Sequence, residues 1–425
     1  MNGDGIGYIK AARDGVLYPG HLAYVPLLRA CWHAARHLGV VGTHLADAVW
    51  PGRVLSALGA ATACVAMLRI VGRRRGDRAG LVAGAGLAAS AGLLGVGCDL
   101  ESYSLALAAV LCVVWALDED RVVAGALLLA LATLLHIENA LFGLAALTLT
   151  TSRLRFFLVA VSVTLAAYLA SGTLGSLSHA SHGFSYPLHA YTPLVACWGA
   201  LRTLVFVPYP YEASMLRVVL PTMVAVGFAV LLRPVGALER RLLVAWLVPY
   251  AVVGVVFFPS DPERWIFVLP LVWMCARPRW LVVALLGLVN VALWLPRSRD
   301  HQAVDAATRA AAHLAAHDLV LMPGHGWDES LVLVRDDVEP FPLVFHAAAR
   351  GGAAGLGVAL DEALARSGRV VSVRLDDEPA SLGYKELARF DLDRTTLRAL
   401  LGEHGLSPDR DLGDGVTLWT VRSRR

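Results

Sequence analysis

The sequence predicts an all-α polytopic membrane protein of about ten spans, followed by a small α/β domain. Three observations carry this. Of 425 residues, 57% are apolar and 17% charged, with mean hydropathy +0.59, against about 45–50% and about 25% in soluble domains. The apolar residues gather into runs approaching the roughly 20 residues that a spanning helix needs. After residue 297 charge rises, and strand-length runs alternate with helical ones. The same composition excludes a soluble enzyme and a disordered scaffold, which needs few apolar and many charged residues. A net charge of +3 leaves no basic field for nucleic acid.

Residues 1–40 read as an outer-face segment. They open polar, Asn2-Gly-Asp4-Gly-Ile-Gly-Tyr8, with no cleavable signal peptide before Asp4. The stretch 22–40 carries Arg29, His33, Arg36 and His37 and reads as an amphipathic helix at the interface. The spanning domain covers 41–297, with apolar runs near 54–72, 79–97, 103–117, 122–136, 139–152, 156–171, 215–232, 242–258, 266–276 and 280–296. Gly84 and Gly86 lie inside a run, where small residues let helices approach closely. The six cysteines lack metal or disulfide spacing and read as buried thiols.

Orientation follows from the arginines. Arg73, Arg74, Arg75 and Arg78 follow the first run, Arg153 and Arg155 the fifth, Arg233, Arg240 and Arg241 the seventh, and Arg277 and Arg279 the ninth. With every run spanning, all four clusters fall on one side, which the positive-inside rule makes the cytoplasm. The opposite face then holds the N-terminus, Asp99 and Glu101, the turn His136–Glu138, the loops 172–214 and 259–265, and the extracytoplasmic domain 298–425. In that domain His301–His317 reads as a helix, Asp318–Met322 as a strand ending in Pro323-Gly-His-Gly326, Gly357–Ser367 as a helix, and Arg369–Arg374 as a strand. A helix with an Asp N-cap over Asp393–Gly405 and a final strand Val416–Val421 complete it.

Polar groups on that outer face are the candidates for chemistry. Asp4 lies among glycines that leave a carboxylate exposed, or marks a solvated turn. Asp99 and Glu101, an i,i+2 carboxylate pair, suit a divalent cation or a polar stop between helices. His136-Ile-Glu138-Asn139 breaks two apolar runs, where ionisable groups face a cavity or each other; the H-x-E pattern lacks the P-C-x-x-C of zinc deaminases. His179, His182 and His189 suggest a loop bordering a cleft more than a zinc site. Asp261-Pro-Glu263-Arg264-Trp265 offers a guanidinium fork that matches phosphate oxygens.

The order of these parts resembles the GT-C membrane glycosyltransferases, in the branch of dolichyl-phosphate-mannose protein mannosyltransferases and aminoarabinose transferases. The resemblance rests on Asp4-Gly-Ile-Gly-Tyr8 with His21-Leu-Ala-Tyr24-Val-Pro-Leu, then Trp50-Pro-Gly-Arg53 with Gly72-Arg-Arg-Arg75. Glu101-Ser-Tyr103, Thr133-Leu-Leu-His136 and Arg264-Trp265 with Pro270 complete it. It covers residues 1–297. The proline after His21 is missing, Asp4 is followed by Gly5 rather than a second acid, and no apolar run precedes Asp4.

The resemblance implies a bacterial envelope enzyme that moves a sugar from a polyprenyl-phosphate donor to a glycan, lipid or protein acceptor. Asp4 would be the base and Arg264 the contact to the lipid phosphate. Tyr8, His21, Tyr24, Asp99, Glu101, Tyr103, His136 and Glu138 would bind substrate, with Asp99 and Glu101 the candidates for a divalent cation. The alternatives are a transporter or flippase, which paired broken helices in matching halves would favour, and a non-catalytic membrane partner in envelope assembly.

Overall fold

The computed structural model describes residues 3–173, 193–206, 215–232, 240–256, 262–298, 302–323, 327–375, 387 and 390–421. Side chains of some of these, Asp4 and Arg264 among them, are outside that description. The chain divides into two compact units, Tyr8–Ser298 and Arg299–Arg425, with Asn2–Gly7 assigned to the second.

The first unit is helical: α1 (Gly3–Asp14), α2 (Tyr24–His37), α3 (Val49–Arg75), α4 (Asp77–Ala89), α5 (Ala91–Cys98), α6 (Tyr103–Asp118), α7 (Val122–Leu135), α8 (Phe142–Leu149), α9 (Arg153–Ala170), α10 (Pro193–Arg202), α11 (Met215–Leu231), α12 (Arg240–Val256), α13 (Pro262–Trp265), α14 (Leu269–Cys275) and α15 (Trp280–Ser298). Among the described residues, Leu45–Arg75 and Arg153–Ala170 are each long and apolar enough to cross a membrane alone. Five shorter apolar helices, 103–118, 122–135, 137–149, 219–231 and 280–295, accompany them. The amphipathic stretch 22–40 folds as α2, burying Tyr24, Val25, Leu28, Trp32 and Ala35 along one face and exposing Arg29, Arg36 and His37.

Helix α6 is the axis of the unit. Residues on all its faces are buried, because it is apolar all round. It meets α3 where Gly59 lets the backbones touch: a Cβ there would lie 2.6 Å from the Leu105 nitrogen.

Contacts sort the helix ends into two levels. At one, Arg74 forks onto Asp118 at 3.1 and 2.7 Å, and Arg75 donates to the carbonyls of Met274 and Ala276. At the other, Ala23 N donates to Leu134 O and the Tyr168 hydroxyl to Pro19 O, both at 2.8 Å. The apolar run 266–276 contains only the seven-residue α14, about 10 Å long. Yet it joins both levels, from Phe267 against the His136 ring to Ala276 beneath Arg75.

The run 79–97 is not one straight helix: α4 and α5 meet at Ser90 with a 63° bend. A break in an apolar setting frees backbone groups that must find partners. Here Ala91 N and Gly92 N donate to Leu204 O and Thr203 O. The Asn290 amide donates to Ala89 O at 2.7 Å and Leu204 O at 2.6 Å and accepts from Phe206 N, and the Trp273 indole donates to Ser90 Oγ. Gly86 lies under the Trp273 ring, and Gly84 packs on the α3 backbone at Cys64, as close helix packing requires. Asn290→Ala strands several of these buried groups. It is expected to cost about 1–3 kcal/mol for each group left unpaired, read as a lower unfolding midpoint in detergent.

The cysteines depart from expectation. Cys98 and Cys197 are exposed, and Cys31, Cys64, Cys112 and Cys275 are half-buried. Apolar sequence neighbours do not imply burial inside the protein when the surrounding solvent is lipid.

The second unit is a mixed sheet with helices. Its elements are α16 (Gln302–Ala311), β1 (Leu319–Met322), α17 (Trp327–Val334), β2 (Glu339–Pro342), α18 (Leu343–Ala349), α19 (Ala353–Leu364), β3 (Val370–Val373), α20 (Arg394–Glu403), β4 (Leu406–Gly413) and β5 (Val416–Val421). Strand order is β2-β1-β3-β5-β4, with β1 parallel to β2 and β3, and β5 antiparallel to β3 and β4. Leu319 and Leu321 face one core, with Leu356, Leu360 and Leu397. Val320 and Met322 face the other, with Leu314 and Leu331. Both faces are covered, which is why β1 is apolar throughout.

Asp393 caps α20 by accepting from Thr396 N at 2.7 Å. That bond holds its carboxyl below the usual range, as Arg335 does for Asp337 and Arg350 for Glu362. Depressed carboxyl pKa values give stability that is present above the unfolded-state range and lost as pH falls through the folded-state values. The thermal midpoint of this unit is therefore expected to drop modestly below about pH 4, and Asp393→Ala to flatten part of that acid limb.

Candidate active site

Aromatic and imidazole rings converge at the level opposite the Arg74–Asp118 contact. His21, in the turn before α2, lies 4.8 Å between centroids from His136, which breaks the chain after α7. Tyr103, first residue of α6, lies 4.6 Å from His136, and Phe267 5.4 Å. Tyr8 of α1 touches His21 at 5.1 Å and Tyr24 at 5.0 Å. All these lie in the first unit. His21 is half-buried and Tyr18 beside it is 45% exposed, so they form the accessible rim.

Glu101 is 1% exposed, beneath the rim. Its backbone is gripped in both directions by Ser56 of α3: the Ser56 hydroxyl donates to Glu101 O at 2.9 Å and accepts from Glu101 N at 3.1 Å. Burial and the Glu101 carboxylate push the Tyr24 hydroxyl well above its ordinary pKa, so it stays a phenol. Asp99 is half-buried and accepts from Leu100 N at 2.8 Å. Asn139 donates to Ala132 O and His136 O and accepts from the Tyr250 hydroxyl at 2.8 Å, fixing the break that presents His136. Glu138 is half-buried on the same turn.

The structure thus brings Tyr8, His21, Tyr24, Glu101, Tyr103 and His136 into one neighbourhood. Sequence reading missed Ser56, Ser102, Tyr250 and Phe267. Ser56 and Tyr250 carry no local signal, since each reaches its partner across more than forty residues of chain. The side chains of Asp4 and Arg264 are outside the described residues, as are Asp261, His179, His182 and His189. By backbone, Asp4 lies one helical turn before Tyr8 on α1, and Arg264 lies in α13, three residues before Phe267. Among the described residues, no three His, Cys, Asp or Glu side chains gather as metal ligands.

Helices α2, α3, α6 and α7 enclose an apolar groove of about 340 Å³, lined by Ala23, Leu27, Leu105, Leu128, Leu131 and Leu135 among others. Its lining includes Ala23, two residues after His21, and Leu135, one before His136. Leu27 and Leu131 are exposed along it.

No protein-family model matches the chain, and no curated protein matches it. Among solved structures, the chain is similar to ArnT from Cupriavidus metallidurans in the apo state, at 14% identity and TM-score 0.46, over 99% of this chain and 93% of that one. The same protein bound to undecaprenyl phosphate aligns at 14% identity and TM-score 0.44, over 100% and 93%.

Proposed function

We propose that this chain is a membrane glycosyltransferase. It moves a sugar from a polyprenyl-phosphate donor to a glycan, lipid or protein acceptor of the bacterial envelope, at the outer face of the cytoplasmic membrane. One observation carries the reading: residues from three separate motifs of the GT-C resemblance meet at one end of the helical unit. They are Tyr8, His21 and Tyr24 of the first, Glu101 and Tyr103 of the second and His136 of the third, spread over more than a hundred residues.

The chemistry fits the lining. A sugar offers apolar C–H faces to the Tyr8, Tyr18 and Tyr103 rings and hydroxyls to His21, Glu101 and the phenols. The apolar groove beside His21 suits the hydrocarbon chain of the donor. Asp4 is the proposed base. It takes the acceptor hydroxyl proton as the acceptor oxygen bonds to the anomeric carbon, and the bond from that carbon to the phosphate oxygen breaks with its electrons on the leaving lipid phosphate. Arg264 is the proposed partner of that phosphate. The domain 298–425 is proposed to be extracytoplasmic. A transporter would open its broken helix onto a pathway, whereas the backbone freed at Ser90 is taken up by Asn290, Thr203 and Leu204.

The test is transfer itself. Purified protein in lipid nanodiscs, given a radiolabelled undecaprenyl-phosphate sugar and envelope extract, is expected to move label into the extract and release lipid phosphate. Label that stays on the lipid with every sugar tried would reject the reading.

A further inference from the structure

Two breaks in the helical chain supply this site. One, 136–141, presents His136. The other, 266–268 between α13 and α14, carries Phe267 shortly after Arg264. Both are held by one face of α12, where Trp246 and Tyr250 lie one helical turn apart. The Trp246 indole donates to Phe267 O at 2.9 Å, and its ring meets the Phe142 ring, at the end of the first break, at 4.7 Å. The Tyr250 hydroxyl donates to Asn139 Oδ1 at 2.8 Å, and its ring meets the Phe267 ring at 5.7 Å. Each side chain therefore bonds one break and packs on the other. None of Trp246, Tyr250, Asn139, Phe142 and Phe267 is more than 1% exposed, so water does not compete for these bonds.

We propose that the Trp246–Tyr250 face of α12 is a clamp that locks the two breaks into one rigid piece, which makes Trp246 and Tyr250 positioning residues for His136 and for the Arg264 segment. The catalytic consequence rests on the glycosyl-transfer reading above; the mechanical one does not. In that reading His136 binds substrate and Arg264 meets the leaving phosphate, so their spacing sets the geometry in which the bond to that phosphate breaks. A misplacement of about 1 Å costs of order 10²-fold in rate. Seating of the lipid chain should be indifferent to it, since among the described residues no α12 side chain lines the apolar groove.

Hydrogen exchange of the full-length protein in lipid nanodiscs, read by mass spectrometry, tests the clamp without substrate. Tyr250→Phe removes one hydroxyl, and Trp246→Phe one N–H with part of a ring. Each variant is expected to speed exchange about 5–10-fold at both 136–142 and 266–269, and to leave 104–117 of α6 at the wild-type rate. Transfer from a radiolabelled undecaprenyl-phosphate sugar should fall about 10-fold in kcat with KM for the donor close to wild type. The double variant should lose little more than the worse single one, as residues acting as a unit do. Exchange that quickens only at the break each side chain bonds would leave two independent anchors and overturn the clamp. So would unchanged exchange at both breaks, or a general quickening that includes α6, the mark of plain destabilisation. Should Trp246→Phe not fold, Tyr250→Phe decides alone, since it removes a single oxygen. Both breaks quickened with kcat unchanged would overturn the positioning role. A wild-type protein that transfers nothing would reject the glycosyltransferase reading, and the exchange rates would still decide the clamp.

Discussion

Asp4→Asn is expected to lower turnover by about two to four orders of magnitude, the contribution of a positioned general base, while donor binding stays close to wild type. Asn keeps the shape and removes the charge, so it separates proton transfer from packing. The base acts only as the acceptor oxygen attacks, so its loss falls on kcat and on kcat/KM together, with little change in KM. Single-turnover transfer with saturating donor is the measurement. A variant that turns over normally would mean that the base lies elsewhere.

Arg264→Ala is expected to be nearly as damaging, by a different route. Removing a preorganised donor to developing charge costs about 10²–10³ in rate, and loss of a charged fork also weakens the ground-state phosphate contact. KM for the donor should rise and kcat should fall. Arg264→Lys should recover only part, because an ammonium supplies charge without two parallel donors. The position is constrained by its neighbours. Trp265 is buried and Phe267 packs against His136 and Tyr103, so α13 is anchored immediately after the arginine. Unchanged donor affinity and rate in Arg264→Ala would remove the phosphate role.

Much of the fold was legible because its signals are local. Arg73–Arg75 and Gly76 end α3 as a cationic last turn and a positive-φ glycine should. Asp393 was readable as a cap, and β1, β3 and β5 were readable as short apolar runs. Strand β2 was not, because Pro340 and Pro342 are tolerated only at an edge, and β2 is an edge. Strand β4, with Pro408 and Arg410, escaped for the same reason. The bend at Ser90 was hidden, because Gly, Ala and Ser continue an apolar run without marking where it breaks. What fixes the bend is Asn290, two hundred residues away.

The site divides the same way. His136 and Glu101 stood out as polar groups in apolar surroundings, which is costly unless they face each other or a cavity. Ser56 did not stand out, since a serine within a helix of small residues carries no signal until its partner is known. The groove was equally invisible: leucines and alanines on α6 and α7 read alike whether they face protein or lipid.

The close meeting of α3 and α6 has a consequence for synthesis. Gly52, Ser56, Gly59 and Ala63 are buried in the folded unit, and part of what covers them, Leu100 to Leu105 and α6, is made later. From Arg75 to Asp118 the ribosome needs roughly 2–9 s at about 5–20 residues per second. For that interval a helix with a bare small-residue stripe, and a serine whose partner has yet to emerge, waits at the insertion machinery. The nascent chain with α3 released and α6 still in the exit tunnel is therefore the stage at which an insertase or membrane chaperone has a surface to hold. Ribosome-bound chains truncated near residue 120 should crosslink to it through position 59, and chains extended past 160 should not.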